Sequence, residues 1–457
     1  MFHARPPIDG TVSLHGILGA LGHALDLTEG QPPGHSQRCA WIAVHVGREL
    51  GLPDPALADL YYTVLLKDLG CSSNAARLCE LYLADDLTLK RDYKLVDGSL
   101  GATLRFVLRQ TARGAGVSER FRSVLHILQN GGDIARELIQ TRCHRGADIA
   151  AKLRFPAAVQ DGVRSLDEHW DGSGRPEGLR GEAIPLYARI ALLAQVADVF
   201  HAEQGPADAV AEIRRRAGIW FDPVLVEAFQ RASGTPGFWA PLEVEGGMVA
   251  EMAAVAPAAA HLPVDDDYLD DIAAAFADVI DAKSPFTAGH SHRVMLFADM
   301  IAEELGVDDV HRRRLRRAAL LHDMGKLGVS NSILDKPGRL DEGEWAAVRR
   351  HPTLGRRVLN RVPILRHAAV VAGTHHERLD GRGYPDGLGA ADLGLDSRIA
   401  TVADVFDALS AERPYRNAMP IPQALAIMAE GRGAAFDPDC LLALSSALRR
   451  VSMIGDR

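Results

Sequence analysis

Arg-Ala-Ala-Leu-Leu-His-Asp-Met-Gly-Lys, residues 317–326, is the stretch from which the rest of this chain can be interpreted. Its first half predicts an apolar helix. Its second half places His322 and Asp323 side by side at the helix end, before a glycine turn and Lys326. An imidazole nitrogen and a carboxylate can bind the same metal ion, and a carboxylate can also bridge two ions. Such a pair alone is weak evidence, because it occurs by chance on many surface helices.

More candidate ligands surround this pair at helix-scale intervals. They are His290 upstream and, downstream, His351, the adjacent His375 and His376, and Asp404. Histidine combined with carboxylate is the donor set expected for first-row transition metals. Each residue alone has an ordinary alternative role, as a capping histidine, a helix-end ion pair or an aspartate paired with arginine. Together, and in this order, they predict a metal site.

The composition sets broad limits on the class of protein. The chain has 457 residues, 24% of them charged and 47% hydrophobic, which is ordinary for two or three domains. The formal net charge of −9 argues against a general surface for a nucleic-acid polymer, although arginine and metal together can bind a small anion. We expect no signal peptide and no membrane span. The five scattered cysteines include no Cys-x-x-Cys pair and favour a cytoplasmic location.

Apolar residues recur at helical spacing along both halves and predict an all-α fold. One example is the face formed by Leu14, Ile17, Leu18, Leu21 and Leu25. The predicted helices include 12–29, 117–129 and 133–153 in the first half, and 309–323, 364–376 and 396–411 in the second. An Ala-, Pro- and Gly-rich run at 233–266 predicts a linker between helical domains at 1–232 and 267–457.

The two halves look like copies of one helical domain. Four short motifs recur in the same order, at residues 34–38 and 289–293, 65–70 and 320–325, 171–176 and 380–385, and 221–223 and 436–438. In the first, for example, Gly34-His35-Ser36 matches Gly289-His290-Ser291. Four ordered matches make chance a poor explanation, so we infer a duplication.

The copies differ where the candidate ligands lie. Opposite His322, His351, His375 and His376 the first copy has, in turn, Lys67, Arg142, Leu166 and Asp167. A cationic lysine is a poor metal ligand at neutral pH. Opposite Asp404 the alignment leaves two alternatives, Gln195 without a gap or Asp198 if the chain shifts. Only His35 and Asp68 are clearly kept, so we expect the first copy to pack, dimerise or regulate rather than catalyse.

At these motifs the second half resembles a known family. His322-Asp323-Met324-Gly325-Lys326, followed by His-His-Glu-Arg-Leu-Asp-Gly-Arg-Gly-Tyr-Pro at 375–385, is similar to the HD-GYP branch of the HD-domain metal-dependent phosphohydrolases. The resemblance covers about residues 270–450. It implies two tandem all-α HD-type domains, the first degenerate. It also implies hydrolysis of cyclic di-GMP, a bacterial second messenger, to linear pGpG or GMP.

The resemblance also implies two metal sites that share Asp323. His290, His322 and Asp404 would complete one site, and His351, His375 and His376 the other. Some members of the family hold a third metal through a glutamate four residues before the first histidine. Phe286 stands there in this chain, so we expect two ions. Iron and manganese suit a mixed histidine and carboxylate set.

Several residues are candidates for catalysis and substrate contact. Two ions roughly 3.5–4 Å apart lower the pKa of a shared water and neutralise phosphoryl oxygens, so Asp323 is expected to be catalytic. Lys326 would contact a phosphate oxygen or the leaving group. Tyr384 would lie at the edge of the site, in a loop for which Gly381 and Gly383 supply positive φ and close approach of the backbone. Further substrate contacts are expected from Arg413, Tyr415 and Arg416.

Other interpretations stay open on the sequence. The substrate could be another cyclic dinucleotide, such as cyclic GMP-AMP, or a different phosphoester, because base identity is read by side chains that the sequence does not place. The chain could also bind a cyclic dinucleotide without hydrolysing it, and form a homodimer or meet a signalling partner through its first copy. His311 belongs to none of the motifs, and we expect a structural or surface role for it.

Overall fold

The computed structural model describes residues 14–96, 100–112, 117–243, 255–260, 262–412 and 417–451. Within these ranges the chain is helical and forms only isolated β-bridges, so the all-α prediction is confirmed. None of the helices in this described part is both long and apolar enough to cross a membrane.

The helices divide between the two halves of the chain. Those of the first half are α1 (Leu14–Thr28), α2 (His35–Glu49), α3 (Asp54–Leu65), α4 (Ala75–Tyr82), α5 (Asp86–Tyr93), α6 (Leu100–Gln110), α7 (Val117–Lys152), α8 (Ala157–Arg164), α9 (Leu186–Gln204), α10 (Pro206–Arg215), α11 (Pro223–Ser233) and α12 (Ala240–Glu243). Those of the second half are α13 (Asp266–Asp281), α14 (His290–Glu304), α15 (Asp309–Leu321), α16 (Asn331–Leu334), α17 (Glu342–Arg349), α18 (His351–Leu359), α19 (Arg366–Thr374), α20 (Leu395–Ser410), α21 (Ile421–Glu430) and α22 (Pro438–Arg450).

Aspartate side chains begin several of these helices. Asp308, for example, accepts a hydrogen bond from the backbone N–H of His311 at the start of α15. At α17, Asp341 and Glu344 cap each other's backbone N–H groups in a capping box. Because the first turn of a helix leaves its N–H groups without partners, such caps fix where each helix begins.

A close helix crossing recurs in the two copies and aligns them. A side chain at Gly325 would place its Cβ 1.9 Å from the carbonyl oxygen of His351. A side chain at Gly70 would place its Cβ 1.9 Å from the carbonyl oxygen of Arg142. Only glycine fits at such a distance. Both copies therefore need glycine where the chain after α3 meets α7 and where the chain after α15 meets α18. The predicted duplication is confirmed, with Arg142 in the position of His351.

The region between these crossing points differs most from prediction. The predicted helices 117–129 and 133–153 are one continuous helix, α7, because neither Gly131 nor Gly132 adopts positive φ to end it. Helices α4, α5 and α6 were not predicted. These three helices and the part of α7 before Arg142 belong to an insertion in the first copy, whose chain is longer between Gly70 and Arg142 than the second copy is between Gly325 and His351.

The two halves pack on one another. Helix α1 contacts α18 and the short 3-10 helix Met324–Gly328, next to the predicted metal site. Helix α13 contacts α7, and Tyr268 donates a hydrogen bond to the carbonyl of Leu153, just after the end of α7, at 2.7 Å. One apolar cluster therefore includes residues of both halves.

Part of the stretch predicted as a linker packs on the first copy. Phe238, Leu242 and Val255 are buried there, and Trp41 donates a hydrogen bond to the carbonyl of Phe238 at 3.0 Å. The domain boundaries at 232 and 267 stay a prediction from the sequence.

Candidate metal centre

The structure brings all seven predicted ligands together in the second copy. Six of them lie at helix ends: His290 begins α14, His322 and Asp323 follow α15, His351 begins α18, and His375 and His376 follow α19. The seventh, Asp404, lies within α20. Their side chains are buried, apart from a partly exposed His376. Elements distant along the chain thus present histidine and carboxylate groups to one interior point.

One group of ligand atoms surrounds Oδ2 of Asp323. Nε2 of His290 lies 3.3 Å from it, and Nε2 of His322 lies 3.4 Å from it. Oδ1 of Asp404 lies 3.4 Å from the same nitrogen of His290. Ligands about 2.0–2.2 Å from one ion are separated by about 3–3.5 Å, so this spacing suits a single metal.

A second group surrounds the other oxygen, Oδ1 of Asp323. Nε2 of His351 lies 3.5 Å from it and Nε2 of His375 lies 3.7 Å from it. His376 closes this group from the side of Asp404, with its Nδ1 3.9 Å from Oδ2 of that residue. Each oxygen of Asp323 therefore faces its own histidines, which is the arrangement of a bridging carboxylate.

In four of the histidines, a hydrogen bond at Nδ1 orients the ring. Nδ1 of His322, His351 and His375 lies 2.7–2.9 Å from the backbone carbonyl three residues earlier in the chain. Nδ1 of His290 instead lies 2.7 Å from Asp407. A hydrogen bond to Nδ1 fixes the tautomer and directs Nε2 towards a metal.

Three polar atoms at the centre have no hydrogen-bond partner although they are buried. They are Nε2 of His290, Nε2 of His322 and Oδ1 of Asp323. Leaving such atoms unpaired is costly, and bound cations are a common way of satisfying them. The residues present therefore fit a metal centre.

The charges at the centre favour bound cations. Burial alone would lower the pKa of His290, but the neighbouring carboxylates of Asp323, Asp404 and Asp407 outweigh it and raise the value to about 10. Burial would likewise raise the pKa of Asp323, but the charges of His322 and Lys326 hold it well below its usual range. The carboxylates thus stay ionised and attract positive charge, which divalent ions can supply.

Asp407 is a residue that the sequence analysis missed. Besides His290, it binds Arg293, with 2.6 Å between Arg293 Nε and its Oδ1. Asp198 of the first copy makes the same contacts, at 2.6 Å to His35 and 2.7 Å to Arg38. The ungapped alternative is therefore correct: Asp198 matches Asp407, which leaves Gln195 in the place of Asp404. The shared His-x-x-Arg pattern was the signal available in the sequence.

Glu377 was also missed. Its buried carboxylate accepts hydrogen bonds from the backbone N–H groups of Asp386, Gly387 and Leu388 at 2.7–3.1 Å. These bonds fold the loop that contains Gly383-Tyr384-Pro385 back on the ligand pair His375-His376. Glu168 of the first copy accepts three equivalent bonds. The carboxylate is therefore part of the shared scaffold.

The glycines of this loop differ in their roles. Gly381 has a φ of 72°, as expected. Gly383 does not have positive φ. Glycine is required there because a Cβ would lie only 2.4 Å from the Cα of Glu377. Arg378 pairs with Asp380 at 2.7 Å on the outside of the loop and braces it.

Tyr384 and Lys326 lie at the edge of the centre. The ring of Tyr384 stacks on His376 with 4.8 Å between ring centres, and the guanidinium of Arg349 lies 5.5 Å from the Tyr384 ring centre. Nζ of Lys326 lies 2.5 Å from Oδ2 of Asp323. Arg413, Tyr415 and Arg416, the other predicted substrate contacts, lie outside the described residues.

A cavity of about 210 Å³ opens beside Asp323 and Lys326. Its wall combines lysines with apolar and aromatic side chains, among them Lys283, Lys336 and Trp345. Such a lining suits a ligand that has both an anionic group and a flat ring.

In the first copy, protein cations lie where the second copy has ligands. The ammonium of Lys67 contacts Asp68 and lies 3.2 Å from Nε2 of His35. The guanidinium of Arg142, in the position of His351, contacts Asp167. Burial and the charge of Lys67 lower the pKa of His35 to about 4. The positions that two ions would take in the second copy are next to fixed positive charges here.

His311, for which a structural or surface role is expected, has partners on two other helices. Its Nε2 lies 2.8 Å from Oδ2 of Asp396, and Nε2 of His367 lies 2.5 Å from the same oxygen. These three residues form a second group of histidine and carboxylate, outside the centre.

The chain matches a known domain family and several characterised proteins. The family model described as HD domain matches residues 115–225 and 274–440, one stretch in each copy. The 3'3'-cGAMP-specific phosphodiesterase 3 of Vibrio cholerae is 54% identical over 96% of this chain and 95% of its own. The cyclic di-GMP phosphodiesterase response regulator RpfG of Xanthomonas campestris is 42% identical over 37% of this chain and 45% of its own.

A solved structure is similar over both copies. It is a crystal structure of a cyclic GMP-AMP specific phosphodiesterase of V. cholerae, V-cGAP3, with a TM-score of 0.66 and 49% identity. The match covers 96% of this chain and 98% of that one.

Proposed function

This chain belongs to the HD-domain family, in its HD-GYP branch, and from that premise we propose that it is a two-metal phosphodiesterase that hydrolyses a cyclic dinucleotide. One observation carries the proposal: the two oxygens of Asp323 face two separate sets of histidines in a buried centre. Asp404 and His290 complete the first set. A bridging carboxylate between two such sets is the arrangement used for hydrolysis of phosphoesters.

The proposed ions are two, iron or manganese, since both suit this donor set. When bound, they would supply an activated water and neutralise the charge of a phosphodiester. The residues of the chain would hold the ions and orient their ligands. Asp323 would hold both ions, Asp407 keeps His290 aimed at the first, and the hydrogen bonds to backbone carbonyls aim His351 and His375 at the second.

Lys326 would bind the phosphate. Its ammonium already contacts the bridging carboxylate and forms part of the cavity wall. An ammonium at that place meets an anion entering the centre and stabilises charge that develops on a phosphate oxygen or on the leaving group. Tyr384, stacked on His376, would fix the outer edge of the centre rather than take part in bond cleavage.

The cavity beside Lys326 would hold one part of the substrate. At about 210 Å³ it is smaller than the roughly 300–1,000 Å³ of a pocket that encloses a drug-sized ligand, so it suits a single base or nucleoside. Trp345 provides a flat apolar surface there, and Arg349 lies 5.7 Å from its ring centre. The other half of a cyclic dinucleotide would lie outside this cavity.

We place 3'3'-cyclic GMP-AMP ahead of cyclic di-GMP as the substrate. The relative that matches across both copies is named for cyclic GMP-AMP. RpfG, named for cyclic di-GMP, matches only about a third of this chain. This reverses the order expected from the sequence motifs, which lie in the second copy alone and do not report on the base. A cytoplasmic location is proposed with it, in agreement with the five free cysteines.

The experiment compares the two substrates at equal concentration. Protein loaded anaerobically with iron(II), or with manganese, would be incubated with each cyclic dinucleotide, and the products separated by chromatography. Asp323→Ala is the control. We expect cleavage of both substrates to be lost in the control, with faster turnover of cyclic GMP-AMP in the parent. Equal turnover would contradict the preference, and cleavage by the control would contradict the site.

A further inference from the structure

His311, His367 and Asp396 form a compact group on the surface of the second copy. Both histidine Nε2 atoms approach the same oxygen, Oδ2 of Asp396, at 2.8 and 2.5 Å. The histidine side chains are 44% and 34% exposed, and that of the aspartate is 14% exposed. Solvent can therefore reach a group that is otherwise held in place by its helices.

Two atoms of this group are buried without a hydrogen-bond partner. Both contacts of Asp396 go to its Oδ2, whereas Oδ1 has none. Nδ1 of His367 is likewise unpaired. Hydrogen bonds between these three side chains thus leave half of an ionised carboxylate unsatisfied, and a cation bound by the carboxylate and the two imidazoles would offset its charge.

The donor set suits zinc. Two imidazole nitrogens and a carboxylate, with water in the remaining position, are a common zinc environment. Nitrogen or oxygen ligands about 2.1 Å from a tetrahedral ion lie about 3.4 Å apart, so the groups need to separate by less than about 1 Å to admit it. Rotation of the exposed imidazoles can provide that movement.

The group lies on the helices that carry the main centre. His311 is on α15, which leads to His322, and His367 is on α19, which leads to His375. Asp396 is at the start of α20, eight residues before Asp404. At 1.5 Å per residue, these spacings place the group about 12–16 Å from the main centre along the three helices.

At the positions that match these three residues, the first copy lacks both histidines and the carboxylate. The residues there are Ala56, Ala158 and Tyr187. The three zinc-binding side chains therefore occur only in the copy that also has the complete centre, at the far ends of its ligand-bearing helices.

We propose that His311, His367 and Asp396 bind a zinc ion, which links α15, α19 and α20 at the end opposite the main centre. The proposal depends on these residues alone and not on the reaction at the main centre. The ion would hold together three helices whose other ends supply His322, Asp323, His375, His376 and Asp404.

The test counts zinc per chain by mass spectrometry after equilibration with buffered free zinc. Asp323→Asn serves as the background, because it disables the main centre and leaves this group intact. In that background we expect one ion more than in the same protein with His367→Gln added. His292→Gln, at a histidine 3.2 Å from Asp278, is the matched control and should keep the full count.

A second variant and a second readout guard against misfolding. His311→Gln, at the most exposed member, should lose the same ion, with circular dichroism checking the fold of each variant. Cobalt(II) in place of zinc should give a visible absorption band in the background protein that both variants lack. Equal zinc counts in the background and in the two variants would overturn the proposal, whether or not the main centre binds metal.

Discussion

The two copies share a scaffold but differ in what lies at its centre. His35, Arg38 and Asp198 in the first copy repeat the contacts of their counterparts in the second almost to the tenth of an ångström. Glu168 folds its loop as Glu377 does. Yet of the ligands the first copy clearly keeps only His35 and Asp68, and it has Lys67 in place of His322. The fold therefore does not require the ligands.

The difference also shows how each centre balances its charge. The pKa of His290 is raised to about 10, whereas that of His35, in the same position, is lowered to about 4. Two carboxylates, Asp323 and Asp404, face the first, and the ammonium of Lys67 faces the second. The centre of the second copy therefore attracts metal cations, whereas the centre of the first copy already has the positive charge of Lys67.

The largest expected effect comes from giving the second copy the lysine of the first. In His322→Lys, an ammonium replaces a nitrogen lone pair and neutralises Asp323, so metal binding should fail. We expect turnover of cyclic GMP-AMP to fall at least about a thousandfold, equivalent to about 4 kcal/mol, with unchanged helix content. The reciprocal Lys67→His should leave turnover unaltered, since Arg142 and Leu166 remain. A His322→Lys protein that still turns over would show that His322 is not required.

The next largest effect is expected from breaking a buried contact between the two copies. Asp86 of the insertion is buried with Lys283, 3.4 Å away, and accepts hydrogen bonds from Ser330 and Asn331 of the second copy. Asp86→Asn leaves a buried ammonium without its counter-charge, so the free energy of unfolding should fall by about 3 kcal/mol in urea titrations.

The control for that change is the exposed pair of Arg154 and Asp271, which also joins the copies. Asp271→Asn should lower the unfolding free energy by less than about 1 kcal/mol, because solvent already screens the pair. Equal effects of the two substitutions would show that the buried contact does not hold the copies together.

A smaller effect is expected from the carboxylates that orient the first histidine. Asp407→Asn loosens His290 and should weaken manganese binding about 10–100-fold, as for other residues that orient a metal ligand. Asp198→Asn removes the same contact from His35 and should leave manganese binding unaltered. The check is a manganese titration followed by electron paramagnetic resonance. A loss in both variants would contradict the separation of the copies.

Local patterns in the sequence predicted much of this arrangement. The helices, the duplication and the seven ligand positions came from spacing and motif order. The role of Asp407 did not, because its partner His290 is distant along the chain. The role of Glu377 did not either, because its partners are backbone N–H groups that only the folded loop brings to it. The group around His311 was missed for the same reason, since its members come from three helices that only the fold brings together. The continuous helix α7 was missed because Gly131 and Gly132 suggest a break that the tertiary structure does not need.

The most direct measurement counts manganese per chain in three proteins. They are the parent, Asp323→Asn, and the double variant Lys67→Met with Asp68→Asn, which removes both charges from the first copy together. We predict two ions in the parent and in the double variant, and a loss of both ions in Asp323→Asn, because each oxygen of that carboxylate faces one ligand set. Two ions retained in Asp323→Asn, or ions lost from the double variant, would contradict the account that the second copy alone holds the metal centre.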